Sequence, residues 1–316
     1  MTAGPDRDGP PPDSPLPGAQ PGGMQQGGPR PGTLLSFGHG YSAQALARLL
    51  IPAGWEVIGT ARRPEALAQL RAPGVTPLQW PGDDAGPALA RASHVLSSVP
   101  AGSGGDPVLA GLGAALMQAG HLTWVGYLST TGVYGDHAGG WVDEDTPATP
   151  GVERSRARLA AEDGWRAVCA RAGVPLTVFR LAGIYGPGRS PFGRLRDGSA
   201  RAIVKPGQVF ARIHVDDIAR AIAAAMADPT AASVVNLADD CPAAPEEVLW
   251  HAADLAGLPR PPAVAWDDAG LSPMARSFFA ESRRVRNDRL KSALGLSLRH
   301  PDYRSGLAAI LAAEDG

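Results

Sequence analysis

The sequence predicts an α/β protein built on a doubly wound parallel sheet with helices on both faces and a small C-terminal lobe. Three observations carry that prediction. From residue 33 onward, short apolar runs of strand length alternate with stretches of helical periodicity. The first such run stops at a glycine-rich turn that leads into an amphipathic helix. Beyond Cys241 the alternation weakens, and proline-containing loops such as GLPRPPAV and GLSPMARS take over.

Taken in order, residues 1–32 are dominated by Pro and Gly and offer almost nothing to bury, so this tail is expected to be disordered. Two alternatives stand beside that reading. One is a proline-rich ligand for a partner domain, and the other is a translation start at Met24, which would remove most of the segment. Order begins at TLLSF (33–37), a buried parallel strand by its continuous apolar character. Residues 42–54 set Ala43, Leu46, Ala47, Leu49 and Leu50 at helical spacing and end near Gly54. Strands follow at 55–61, 75–80, 93–100 and 122–130, separated by helices at 65–74, 83–92 and 107–120. The second half reads as a helix at 158–173, a strand running into a loop at 175–186, a helix with a long apolar face at 213–229, and a last strand at 233–239. Residues 33–240 thus form the sheet-bearing unit, with 184–209 contributing to the lobe, and 241–316 form the lobe itself.

Composition narrows the function classes. The formal net charge is −2 with acids and bases interspersed, so there is no electrostatic pull toward nucleic acid or a membrane surface. Cys169 and Cys241 stand far apart without metal-ligand spacing, which argues against a disulfide framework or a metal site and fits a reducing cytoplasm. No apolar run is long enough to cross a bilayer, and the N-terminus lacks a secretory pattern. A cytoplasmic protein handling a small molecule is the expectation.

The turn after the first strand reads Gly38-His39-Gly40-Tyr41-Ser42-Ala43, a G-x-G-x-x-A pattern. Between a strand and a helix, the first glycine permits the tight turn and Gly40 lets backbone approach a pyrophosphate. The small Ala43 lets the helix pack closely on the sheet, and the helix N-terminus offers free N–H groups to phosphate. That defines a Rossmann-type unit with Gly38, His39, Gly40, Tyr41 and Ser42 as cofactor-binding candidates; the alternative is a purely structural turn. The second strand ends in Gly59-Thr60-Ala61-Arg62-Arg63, where an NAD site usually has a carboxylate for the ribose. Two guanidiniums suit a 2′-phosphate better, so NADP is expected with NAD as the alternative. Arg62 and Arg63 as solvated loop arginines are the bland reading.

The motifs SerThrThrGlyValTyrGly (129–135), TrpValAspGlu (141–144), ArgLeuAlaGlyIleTyrGlyProGly (180–188) and IleHisValAspAspIleAla (213–219) follow the glycine turn in order. Together they resemble the extended short-chain dehydrogenase/reductase superfamily of the NAD(P)-dependent epimerase/dehydratase type, over roughly Thr33 to Asp239. The resemblance implies a nicotinamide cofactor, a C-terminal substrate lobe and, on the cofactor side, Val99, Leu181 and Ile184. It is also compatible with a homodimer formed through a helix pair. Thr130 matches the family's catalytic Ser/Thr, although a hydroxyl there also suits a local turn hydrogen bond.

The family's Tyr-x-x-x-Lys pair is not kept. Arg154 stands in the tyrosine's place and Arg158 in the lysine's. An arginine does not exchange a proton at ordinary pH, because its pKa lies above about 12. Arg158 retains the positive charge near the nicotinamide. Tyr134, Tyr185, His137 and Asp136 are the candidate substitutes for the missing acid, with Tyr134 the one placed in the catalytic set. Arg154, Arg156 and Arg158 would alternatively form an anion-binding patch or a solvated helix start, with Arg156 on a different face. Asn287 or Asp288 reads as a helix N-cap. Two functions follow: an NAD(P)-dependent oxidoreductase or sugar-nucleotide epimerase/dehydratase-like enzyme with a non-standard proton donor, or a catalytically weak NADP-binding sensor.

Overall fold

The structure is a computed structural model that describes residues 28–71 and 74–314. The expectations for the tail up to residue 27, including a start at Met24, lie outside the described residues. In chain order the strands begin with β1 (Thr33–Phe37), β2 (Glu56–Ala61), β3 (Thr76–Gln79), β4 (His94–Ser97) and β5 (Trp124–Thr130). They continue with the short β6 (Trp141–Val142), β7 (Leu176–Leu181), β8 (Gly183–Tyr185), β9 (Ala202–Val204), β10 (Arg212–His214), β11 (Val234–Leu237), β12 (Ala263–Ala265) and β13 (Arg284–Val285). Seven of them form one sheet in the order β3-β2-β1-β4-β5-β7-β11, with every neighbouring pair parallel. This is the doubly wound Rossmann-type arrangement that the alternating pattern predicts.

The helices are α1 (Tyr41–Leu50), α2 (Pro64–Arg71), α3 (Gly86–Arg91), α4 (Pro107–Met117), α5 (Glu153–Ala172), α6 (Phe192–Arg196), α7 (Val215–Ala227), α8 (Pro245–Leu255), α9 (Pro273–Phe279), α10 (Asp288–Ala293) and α11 (Tyr303–Glu314). Among the described residues, no helix is long and apolar enough to cross a membrane. Strand alternation sorts the core onto two faces. Leu34, Trp124 and Leu128 point to the side covered by α1 and α7. Leu35, Phe37, Val125 and Tyr127 point to the side covered by α3, α4 and α5. Pro77 is accommodated because β3 is an edge strand, where a missing ladder donor costs little.

Buried carboxylates lock helices in place. Asp106 caps α4 by accepting from the N–H groups of Val108 (2.8 Å) and Leu109 (3.1 Å), and its other oxygen accepts from the Trp165 indole at 3.0 Å, tying α4 to α5. Asp217 in α7 accepts from the backbone of Arg299 (2.7 Å) and His300 (2.9 Å) and pairs with Arg220 at 3.0 Å, which pins the C-terminal segment to the sheet unit. A separate apolar cluster of Tyr185, Phe192, Val248, Tyr303, Leu307 and Ile310 holds α6, α8 and α11 together.

Three local expectations change. Helix α5 begins at Glu153, five residues before the expected 158, so the arginine-rich segment belongs to it. The run 175–186 is two strands: β7 stays in the main sheet, while β8 leaves it after Ala182 and pairs with β10. Asn287 occupies the N-cap position of α10 but makes no cap bond; its amide donates to the Ala238 carbonyl (2.8 Å) and to Asp240 (2.7 Å). A buried carbonyl and a carboxylate compete successfully for that side chain.

Candidate functional site

The strand order reverses at β1, which has β2 on one side and β4 on the other, so a crevice opens above the carboxyl ends of β1 and β4. The glycine turn lies there. Gly38 takes φ of +69°, a conformation open to glycine and strained for other residues. Its N–H donates to Thr60 Oγ1 at 2.9 Å, and the Ser98 hydroxyl donates to its carbonyl. A Cβ at Gly38 would stand 3.0 Å from Val99 Cγ2, so Val99 closes the turn from behind. Gly40 is the N-cap of α1 and supplies no side-chain cap, leaving the first-turn N–H groups for a ligand. Tyr41 turns to the rim, donating to the Pro187 carbonyl at 2.9 Å beneath the Arg189 guanidinium, 4.9 Å above its ring. Ser42 is buried at the helix start.

His39 does not serve as expected. Its N–H is spent on the Thr60 carbonyl (2.9 Å), its ring is only 4 % exposed, and burial lowers its pKa to about 4. It fills space under the turn as a neutral imidazole. Arg62 and Arg63 are exposed at the end of β2, and neither makes a salt bridge among the described residues.

Beyond the turn lies a cavity of about 1090 Å³ between the sheet and the C-terminal elements. Thr130, Leu181 and Ile184 line it at the sheet end. Arg154, Ser155 and Arg158 line it from the first turns of α5, while Arg156 points away and donates to the Gly151 carbonyl. On the far side stand Arg189, Arg194, Arg201 and Arg212. Against these and Arg283, the one acid lining it among the described residues is Glu281. Thr130 Oγ1 accepts from the Gly132 N–H at 3.1 Å, so its hydroxyl hydrogen is left to donate. A Cβ at Gly132 would lie 3.3 Å from Thr130 Oγ1 and 2.8 Å from Ser155 Oγ, so the two hydroxyls flank one point. Arg158 donates to the Leu128 carbonyl at 2.6 Å.

The expected acid substitutes do not assemble there. Tyr134 is a correction: it is fully buried, donates to Asn236 Oδ1 at 2.7 Å, lies under Arg180 at 4.9 Å, and burial raises its pKa. It anchors β11 to the loop after β5. His137 pairs its Nε2 with the Tyr134 carbonyl at 3.1 Å, and Asp136 accepts from Ser282 (2.8 Å) and Ala138 (3.1 Å); neither lines the cavity. Tyr185 does line it, but its hydroxyl donates to the Asp302 carbonyl at 3.2 Å and burial drives its pKa upward. Sequence reasoning missed Ser98 and Ser155. Neither carries a pattern of its own, since a lone serine acquires meaning only from what the fold sets beside it.

Behind Arg212 sits Asp239, whose burial pushes its pKa up to about 7, with one carboxylate oxygen lacking a hydrogen-bond partner among the described residues. The folded form therefore holds a proton that the unfolded chain releases near pH 4, and stability falls as pH rises from about 4 to about 7. Asp239→Asn keeps the acceptor for the Cys241 N–H and removes the ionisation. Urea unfolding at pH 5 and pH 8 is expected to show the variant gaining on the wild type by about 1 kcal/mol or more as pH rises. An unchanged difference between the two pH values would refute the burial argument.

The seven-stranded parallel sheet, the glycine turn and the switch-point crevice define a protein of the Rossmann-type α/β class. The NAD dependent epimerase/dehydratase family model matches residues 114–238, from within α4 to the end of β11. The match covers less than half of this chain. A functionally unknown conserved protein from Silicibacter pomeroyi DSS is 56 % identical, with 89 % of this chain and 99 % of that chain covered and a TM-score of 0.85. The 3-diazoavenalumate denitrifying reductase of a Streptomyces species is 33 % identical over 144 residues, 41 % of this chain and 45 % of that enzyme. The match thus spans less than half of that reductase's length. The human epimerase family protein SDR39U1, solved with NADPH, is 18 % identical over 89 % of this chain and 99 % of that chain, and at a TM-score of 0.67 it shares the fold.

Proposed function

We propose that this protein is a cytoplasmic, NADP-using oxidoreductase that passes hydride between the nicotinamide and a small molecule held in the cavity beyond Thr130. The observation that carries the reading is the glycine turn itself: an uncapped α1 N-terminus at the strand-order reversal, with Gly40 open to a pyrophosphate. Arg62 and Arg63 meet the 2′-phosphate at the end of β2. The free thiols of Cys169 and Cys241 fit a reducing compartment.

The bound cofactor supplies or accepts the hydride, and the chain's own groups manage the oxygen and the charge. Thr130 donates to the reacting oxygen with the hydrogen that its turn bond leaves free. Arg158 keeps a positive charge beside the ring, held by the Leu128 carbonyl. Arg154 cannot act as the acid, and the hydroxyls of Tyr134 and Tyr185 are held by other partners. The proton therefore comes from solvent through the Thr130 and Ser155 hydroxyls. Reduction is favoured over epimerisation, because epimerisation needs proton exchange in both directions at one oxygen. The likeness to a denitrifying reductase supports the same preference.

Fluorescence titration of the full-length protein with NADPH and NADH tests the reading. NADPH is expected to bind more tightly, and Arg62→Ala to weaken it about 10-fold or more while leaving NADH unchanged. Failure of both nucleotides to bind would sink the proposal. Tight binding with no turnover across a carbonyl and diazo substrate screen would favour an NADP sensor.

A further inference from the structure

We infer that the substrate carries a carboxylate on its reacting half, received by Arg154 and Arg158; the inference deepens the hydride-transfer reading and rests on it. The two arginines are one helical turn apart on α5 and open on the same cavity. Neither forms a salt bridge among the described residues. The one acid lining the cavity, Glu281, is already engaged by Arg283 at 2.9 Å, so it neutralises that side chain and leaves Arg154 and Arg158 uncompensated. Two unneutralised guanidiniums facing one concavity focus positive potential there, and a neutral sugar hydroxyl would leave that charge unpaired.

The geometry selects the kind of anion. The Arg154 guanidinium lies 4.1 Å from the centre of the Phe278 ring, and Nη1 donates to Ser277 Oγ at 2.7 Å. The ring below the guanidinium and the bond to Ser277 together restrain the fork. The remaining edge presents in-plane N–H groups that match the two oxygens of a carboxylate. Ser155 adds a third donor. It is 3 % exposed and lines the cavity, and while its N–H donates to the Val152 carbonyl, its hydroxyl makes no hydrogen bond among the described residues. Its hydroxyl flanks the same point as that of Thr130, so the anion site adjoins the reacting oxygen rather than a distant part of the substrate. The position where the family holds its acid has thus become a holding site. A carboxylate bound there would place a neighbouring carbonyl or its equivalent on Thr130.

Isothermal titration of the full-length protein, saturated with NADP⁺, against oxalate and its neutral counterpart oxamide tests this. Oxalate is expected to bind and oxamide not to. The oxalate Kd should rise about 10-fold or more in Arg154→Met and in Arg158→Met, and stay unchanged in Arg156→Gln. Thermal melts of each variant check that folding is retained. Equal affinity for oxalate and oxamide, or oxalate affinity indifferent to Arg154→Met, would overturn the inference. Inorganic phosphate binding in preference to oxalate with the same Arg154 dependence would overturn the carboxylate assignment. NADP⁺ affinity is read from the same samples: bound NADP⁺ without bound oxalate removes this inference alone, whereas absent NADP⁺ binding removes the hydride-transfer reading.

Discussion

Glu162→Ala is expected to lower the free energy of unfolding by about 3–5 kcal/mol, the cost of leaving a buried charge unpaired. Glu162 is fully buried in α5. Its carboxylate accepts from Arg180 Nε (3.2 Å) and Nη2 (2.9 Å), from Arg166 Nη2 (2.9 Å) and from the Ser129 hydroxyl (2.6 Å). Arg180 is itself buried in β7, with its guanidinium 4.9 Å from the centre of the Tyr134 ring. Removing the glutamate strands that guanidinium in the sheet and releases Ser129, the residue beside Thr130, so substrate turnover should suffer along with stability. Urea unfolding measures the loss. The double variant Glu162→Leu/Arg180→Met should recover most of it, because replacing both members of a buried pair by apolar groups is far cheaper than breaking it. A single variant within 1 kcal/mol of wild type would show that solvent reaches the pair and that the network is weaker than its geometry implies.

The second large effect separates two kinds of glycine. Gly40→Val is expected to weaken NADPH binding on the order of 10- to 100-fold through steric overlap, with little change in melting temperature. A Cβ at Gly40 meets nothing closer than the Gly38 carbonyl at 3.6 Å, so the fold tolerates a side chain that the pyrophosphate does not. Gly38→Ala should behave differently. Its φ of +69° and the 3.0 Å approach to Val99 place strain in the protein itself, so stability falls with binding. Thermal melts and nucleotide titration of the two variants together make the distinction. A Gly40→Val protein that binds NADPH normally would remove the turn from the cofactor site.

The alternation of apolar runs and the G-x-G-x-x-A turn made the parallel sheet legible, because both depend on periodicity and backbone freedom that a sequence displays directly. The arginines at 154 and 158 were equally plain, since a missing tyrosine–lysine pair is visible by inspection. Tyr134 went astray for a physical reason. A loop tyrosine after a sheet strand can face the crevice or the core, and only the presence of Asn236 and Arg180 turned it inward. The start of α5 at Glu153 is not legible in the sequence because arginines and serine carry no apolar stripe, although their intrinsic helix propensity is adequate.

By itself the sequence determined the fold class, the place of the glycine turn and the arginines at 154 and 158, each a property of local pattern or residue identity. Tertiary structure alone decided which side chains share the cavity, that Glu281 serves Arg283 and not Arg154, that Ser155 stands beside Thr130, and that Asp239 is starved of water. These depend on distances between segments far apart in the chain, and no local periodicity encodes the burial or the partner that fixes a side chain's charge and role.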